Sequence, residues 1–296
     1  MSSTPKSNSK IPLKYRLLRK SIPVLENIAP NVVGKIAMHG FLKPLKFPIP
    51  EEELFLREQA RKFFFISDGK QIQSYVWNEG KDKKRLLFMH GWASRASHFT
   101  AFIKEAVDKD FEVVAIDAPG HGNSEGRLTD VVQFAQAIID LEQQIGQFKG
   151  ALGHSMGGTA LLYAMSRGLH IPQLTLMAVP AIEEEILEVY SSKMNLSKKG
   201  VRYMLKNIEE KFGAPFEKYT AQYLAQSLSF HQAQLVYDEN DREVSPKNGE
   251  VLQKFISNAT FLKVSSAGHA KMLADPELAK QAIAFHLKPI EEKVSA

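Results

Sequence analysis

Gly150-Ala151-Leu152-Gly153-His154-Ser155-Met156-Gly157-Gly158-Thr159-Ala160-Leu161-Leu162-Tyr163-Ala164-Met165 is the stretch on which the reading of the whole chain turns. A short apolar strand signal, Ala151-Leu152, runs into the pattern G-x-S-x-G over Gly153–Gly157, and a helical run, Thr159–Met165, leaves it. That order suits an activated serine. A sharp turn between strand and helix lifts the hydroxyl out of the sheet, and the flanking glycines let the two elements approach without Cβ clashes. The bland alternative is a glycine-rich turn with an incidental serine. The strand before it and the helix after it argue for Ser155 as a nucleophile.

A serine hydroxyl attacks well only when a base takes its proton. His269 fits that role, because Ala267-Gly268-His269 follows the apolar run Phe261–Val264 late in the chain. The other histidines fit less well. His39 and His98 precede the serine, His170 and His231 sit at element edges with no glycine turn, and His286 lies in the amphipathic stretch Ala282–Leu287. The histidine in turn needs an acid to hold its tautomer. Two aspartates follow the apolar run Leu235-Val236-Tyr237. Asp238, at the strand's end, reads as a turn-capping carboxylate. Asp241 stands three residues on, in the loop that must reach toward His269, and is the expected triad acid. An oxyanion hole needs two backbone N–H donors. Met156, after the nucleophile, supplies one. Trp92, in the turn His90-Gly91-Trp92 after the apolar run Arg85–Met89, supplies the other, which leaves His90 a structural role. The loop Asp117–Ser124 is rich in Gly and Pro, and its Asp117 and His121 read as loop architecture.

Working outward from these motifs, apolar runs alternate with helical stretches. Phe63–Ile66 and Gln71–Trp77 flank Asp68-Gly69 and predict a β-hairpin. Strands are then expected at Arg85–Met89, Phe111–Ile116, Gly150–Leu152, Leu174–Val179, Gln234–Tyr237 and Thr260–Val264, with helices between. This β-α rhythm predicts an α/β fold on a parallel, doubly wound sheet whose site lies at the carboxyl ends of the strands. Between Pro180 and about Phe230 there is no strand signal, only helical stretches. Three regions follow: an N-terminal arm over 1–60, a core over 61–180 and 230–296, and a helical cap insert over 181–229. Leu187, Tyr190 and Met194 in the insert are expected to bind substrate and select the acyl or leaving group.

Composition narrows the chemistry. The 296 residues include no cysteine, which removes disulfides, thiolate metal sites and a cysteine nucleophile. No apolar stretch is long enough to span a bilayer, and the start of the chain lacks a signal-peptide pattern, so the cytoplasm is the default compartment. Charge is uneven. Residues 1–46 hold nine Lys/Arg and one acid, a balance of +8, within a chain of net charge +5. The bland reading of this basic arm is a solvated tail, disordered over residues 1–10. It is also a candidate for weak contact with an anionic membrane. No nucleic-acid partner and no metal is expected, and nothing in the sequence sets an oligomeric state.

His90-Gly91-Trp92, Asp117–Ser124, Gly153–Gly158, Asp238–Val244 and Gly268-His269, in this order and spacing, resemble the α/β-hydrolase superfamily. The resemblance is strongest to bacterial serine-nucleophile, esterase- and lipase-like hydrolases with a helical cap, and it covers about Phe63 to Leu287. It implies the α/β-hydrolase fold: a mostly parallel eight-stranded sheet with helices on both faces and a cap insert. It also implies an acyl-enzyme mechanism with no metal and no cofactor. Epoxide hydrolases and haloalkane dehalogenases of the superfamily carry Asp where Ser155 stands, which argues against both. The His-Gly-Gly-Gly loop of hormone-sensitive-lipase-like esterases is absent. The expected partner is a small-molecule acyl substrate, a carboxylic ester of small or medium acyl length. A thioester, an amide, a carbon–carbon bond beside a ketone, or a non-catalytic ligand-binding role are the alternatives.

Overall fold

The computed structural model describes residues 13–265 and 268–290, with side chains from residue 19 onward. Residues 1–10, expected to be disordered, and Ala267 lie outside the described residues. Two compact units emerge: Leu42–Ile186 with Phe216–Ala296, and Met1–Phe41 with Leu187–Pro215.

The larger unit is built on an eight-stranded sheet of order β1-β2-β4-β3-β5-β6-β7-β8. Its strands are β1 (Arg61–Ser67), β2 (Lys70–Trp77), β3 (Arg85–Met89), β4 (Glu112–Ile116), β5 (Gly150–His154), β6 (Gln173–Met177), β7 (Gln232–Asp238) and β8 (Thr260–Val264). β1 pairs antiparallel with β2, and β2 antiparallel with β4. All other pairings are parallel. Asp68 and Gly69, both at positive φ (47° and 70°), make the predicted turn of the first hairpin.

The central strands read as unbroken apolar runs because both their faces are covered. On β4, Val114 and Ile116 enter one core cluster and Val113 and Ala115 the other. One face is covered by Phe134, Ile138 and Leu141 of α5 (Val131–Ile145) with Leu161 and Leu162 of α6 (Met156–Ser166). Phe102 and Ile103 of α4 (Thr100–Asp108), with Leu278 and Ile283 of α11 (Pro276–Leu287), belong to the cluster on the other face. Strand order reverses around β3, so the carboxyl ends of β3, β4, β5, β7 and β8 gather the loops that carry the predicted motifs.

The smaller unit is helical, and its membership differs from the regions drawn from sequence. The N-terminal helices α1 (Leu13–Ile28) and α2 (Pro30–Phe41) pack with α8 (Lys198–Phe212) and with the part of α7 (Glu183–Met194) from Leu187 onward. Gly34 on α2 lies against the backbone of Tyr203 on α8; a Cβ there would stand 2.7 Å from the Tyr203 carbonyl carbon. Val33, Ala37, Met204 and Ile208 are buried at these helices. Glu26, also buried, accepts the Ser197 N–H at 3.0 Å. The described part of the N-terminal segment is therefore packed structure, where composition suggests a solvated tail. Residues 42–60 belong instead to the larger unit. The Leu42 carbonyl accepts the Thr129 N–H at 2.8 Å, and Arg57 on α3 (Glu51–Glu58) pairs with Asp117 at 2.6 Å.

Candidate active site

Ser155 follows β5 directly and precedes the first residue of α6. Its backbone sits at φ 52° and ψ −127°, a conformation that a non-glycine residue adopts only under constraint. The constraint comes from both sides. The Ser155 N–H donates to the Met177 carbonyl at 2.9 Å. A Cβ on Gly153 would come within 2.5 Å of the Gly158 Cα, and one on Gly157 would meet the Met89 carbonyl. The glycines of the motif thus let strand, turn and helix share one small volume, and the serine side chain projects from the turn.

β7 and β8 carry the other two candidates. The loop after β7 folds Asp241 back so that its Oδ1 accepts the N–H groups of Glu243 (2.7 Å) and Val244 (3.0 Å). Its Oδ2 lies 2.7 Å from His269 Nδ1. A carboxylate oxygen can only accept, so Nδ1 carries the proton and Nε2 is left as a base. Asp238, fully buried at the end of β7, accepts from the N–H of Asn240 and of Gly268, each at 2.8 Å. It braces the turn and the loop that presents His269. Gly268, at φ 87°, makes the turn before the histidine.

The loop after β3 closes the site. A Cβ on Gly91 would stand 2.8 Å from the Ser155 Cβ, so the backbone of this loop runs against the serine. Met156 is the first residue of α6, where a helix leaves its N–H groups without intrahelical acceptors. Among the described residues the Trp92 N–H meets no acceptor either. Two histidines interlock this loop with the one after β4. His90 Nε2 accepts the Ala118 N–H at 3.0 Å, and His121 Nε2 accepts the Ala93 N–H at 3.0 Å. Each ring sends its Nδ1–H to a carbonyl of its own loop, Gly91 for His90 and Pro119 for His121. Burial holds both rings neutral, with pKa values pushed down to about 3. Asp117, fully buried, accepts from Arg57, from the Tyr75 hydroxyl (3.1 Å) and from the N–H groups of Ala96 and Asn123 (2.9 Å each). Its four partners leave it no role in proton transfer.

The profile of the serine aminopeptidase S33 family matches residues 80–250, more than half of the chain. The chain belongs to this family. It is similar along most of its length to uncharacterized hydrolase YugF of Bacillus subtilis (strain 168). The two are 26% identical over 270 residues, 76% of this chain and 97% of that protein. A stretch of 122 residues is 29% identical to human monoglyceride lipase, covering 38% of this chain and 40% of the lipase. Among solved structures, Pyrococcus furiosus esterase Pf2001 matches with TM-score 0.62 at 16% identity, over 83% of this chain and 96% of the esterase. A membrane phospholipase A described as a bacterial virulence factor matches with TM-score 0.61 at 17% identity, over 92% and 96%. These two likenesses establish the α/β-hydrolase fold. With the family and the hydrolase relative, the chain is a hydrolase of the α/β-hydrolase fold.

The three residues expected to select substrate all lie on α7 of this S33-family hydrolase. Leu187, Tyr190 and Met194 belong to the helical unit. The Tyr190 hydroxyl donates to the Ala37 carbonyl at 2.6 Å, and its ring meets Phe41 edge-on at 4.9 Å. Met194 Cε approaches Gly40 on α2. Tyr190 and Met194 therefore spend their contacts on packing α7 against α2.

Several residues that shape the site carry no sequence signal. Arg57 reaches Asp117, and buried Glu53 takes a two-pronged bond from Arg95 at 2.6 and 2.7 Å and a third from the Ser97 hydroxyl at 2.7 Å. His154, inside the motif itself, sends its Nε2–H to the His269 carbonyl. An acidic first turn on α3 with buried Glu53 and Arg57 is a helix presenting charge to the protein interior, but the sequence names no partner for it.

Proposed function

We propose that this hydrolase cleaves carboxylic esters through an acyl-enzyme on Ser155. The observation that carries the reading is the bonded pair His269–Asp241 on the same sheet edge as a serine held at φ 52°. In the forward half-reaction Ser155 Oγ attacks the acyl carbon while His269 Nε2 accepts the hydroxyl proton. Asp241 holds the ring in the tautomer that leaves Nε2 free and stabilises the imidazolium as it forms. The N–H groups of Trp92 and Met156 receive the oxyanion. His269 then gives the proton to the departing alcohol. Water, deprotonated by the same nitrogen, attacks the acyl-enzyme and releases the acid.

Small or medium acyl groups are the favoured substrates, and the esterase and lipase names among the relatives agree with an ester. A second reading, hydrolysis of an amino-acid amide, draws support from the aminopeptidase description of the family. Labelling with a fluorophosphonate, followed by a panel of p-nitrophenyl esters and aminoacyl p-nitroanilides, decides between them. Ser155→Ala should abolish labelling and cut kcat by several orders of magnitude with the fold intact. A folded, pure Ser155→Ala protein turning over at the wild-type rate would remove Ser155 from the mechanism.

A further inference from the structure

The described helices of the N-terminal segment bury one face and leave another open, and the open face carries a run of aliphatic side chains. α1 and α2 run in nearly continuous register. The Ala29 N–H donates to the Leu25 carbonyl at 2.7 Å and the Val33 N–H to the Ala29 carbonyl at 3.2 Å, so the four-residue spacing carries across the junction. Val24, Ile28 and Val32 therefore form one stripe at i, i+4 and i+8. They are 62%, 77% and 55% exposed, and Leu25 beside them is 37% exposed. Ile22, Glu26, Val33 and Ala37, at the alternate helical positions, are buried. Isolated exposed aliphatics need no explanation, but a stripe of them on a helix whose other face already packs does.

Charge indicates what covers the stripe. Between residues 19 and 41 the exposed cations on the side of the stripe are Lys20 and Lys35, Arg19 being bonded to the Ser192 carbonyl on α7, and the sole acid, Glu26, is buried against Ser197. Residues 1–46 as a whole carry nine basic residues and one acid. A nucleic acid would engage the cations but offers nothing to bury Val24, Ile28 and Val32. An anionic headgroup layer over acyl chains takes both at once: aliphatic side chains enter the interface while flanking lysines meet lipid phosphates. We infer that the exposed stripe of α1 and α2, Val24-Leu25-Ile28-Val32 with Lys20 and Lys35 around it, docks on an anionic lipid bilayer. The inference is independent of which bond the site cleaves. It also gives the acid-poor N-terminal segment a use that the catalytic reading leaves open.

Vesicle flotation of the full-length protein tests it. The protein should float with vesicles of phosphatidylcholine mixed with phosphatidylglycerol and stay behind with phosphatidylcholine alone. Val24→Ser/Ile28→Ser/Val32→Ser should lower the bound fraction at least about tenfold, since each side chain gives up apolar burial. Lys20→Gln/Lys35→Gln should weaken binding and flatten its dependence on salt. Circular dichroism melts confirm that the variants fold. Ile28→Trp keeps the face apolar, and its added emission should shift to the blue when anionic vesicles are supplied. Failure of the wild-type protein to float overturns the inference, as does a triple-serine variant that folds and floats like wild type. Sedimentation velocity covers the remaining occupant. A wild-type dimer that dissociates in the triple-serine variant, with no flotation, would make the stripe a contact between two copies of the chain.

Discussion

His154 donates its Nε2–H to the backbone carbonyl of His269 across 2.9 Å, and the two rings lie 4.6 Å apart. The residue before the candidate nucleophile thus holds the main chain of the candidate base. Burial, followed by the nearness of His269, drives the His154 pKa well below its ordinary value, so the ring stays neutral and Nε2–H stays a donor.

Replacing His154 should therefore move the base without removing it. His154→Phe keeps the ring volume and loses the bond, which is worth about 1 kcal/mol. The expected result is a fall in kcat of about fivefold with little change in KM. His154→Gln, whose amide N–H can reach the same carbonyl, should recover part of the loss. Steady-state kinetics on a p-nitrophenyl ester read both. Equal kcat for His154→Phe and wild type would show that the bond positions nothing.

Asp241 and Asp238 make different bonds and should fail differently. Asp241→Asn should fold normally and lose roughly four orders of magnitude in kcat, because an amide does not hold the His269 tautomer as a carboxylate does. Asp238 accepts two backbone N–H groups, from Asn240 and Gly268. In Asp238→Asn one of them faces an NH2 group, so stability should fall by about 1–3 kcal/mol. Chemical denaturation and kcat measured on both variants separate the roles; a dead Asp238→Asn beside an active Asp241→Asn would reverse them.

Acid should loosen the interlocked loops after β3 and β4. His90 and His121 are held neutral when folded, with pKa values near 3 against an ordinary value of 6.5. The unfolded chain binds more protons than the folded one between those values. Stability contributed by these rings is then complete above about pH 6.5 and declines as pH falls toward 3. Each ring should add up to about 1.4 kcal/mol per pH unit to that slope. His121→Gln keeps an acceptor for the Ala93 N–H but no longer titrates. Its unfolding free energy, followed from pH 7 to pH 4 by denaturant titration, should fall less steeply by roughly one proton's worth. A slope unchanged from wild type would place the acid sensitivity elsewhere.

The helical unit should depend on close contact between α2 and α8. A side chain at Gly34 would strike the Tyr203 backbone. Gly34→Leu should destabilise that packing by about 1–3 kcal/mol. Tyr190→Phe, which only removes the bond to the Ala37 carbonyl, should cost about 1 kcal/mol. Limited proteolysis of residues 13–41 should speed up in both, while turnover of a small ester stays near wild type for Tyr190→Phe. A change in acyl preference in Tyr190→Phe with stability unaltered would make it a substrate selector and not a packing residue.

How much of this was legible beforehand differs by element. Most of the eight strands announce themselves because they are buried on one or both faces, so apolar residues run together or alternate within a few positions, a local signal; β8 is only half-buried along its length. Glycines at 153, 157 and 158 are equally local, being demanded by a turn between adjacent elements. The choice of Asp241 over Asp238 rests on loop reach, which spacing within one segment can convey. Tertiary structure alone decided the rest. Arg57 finds Asp117 across 60 positions, Arg95 finds Glu53 across 42, and His154 finds His269 across 115. Composition made the N-terminal segment a charged arm, and only the fold joins α1 and α2 to α7 and α8. A periodic pattern records that a face must be buried. The partner that buries it is fixed by shape and distance between segments far apart in the chain, and no local pattern carries that information.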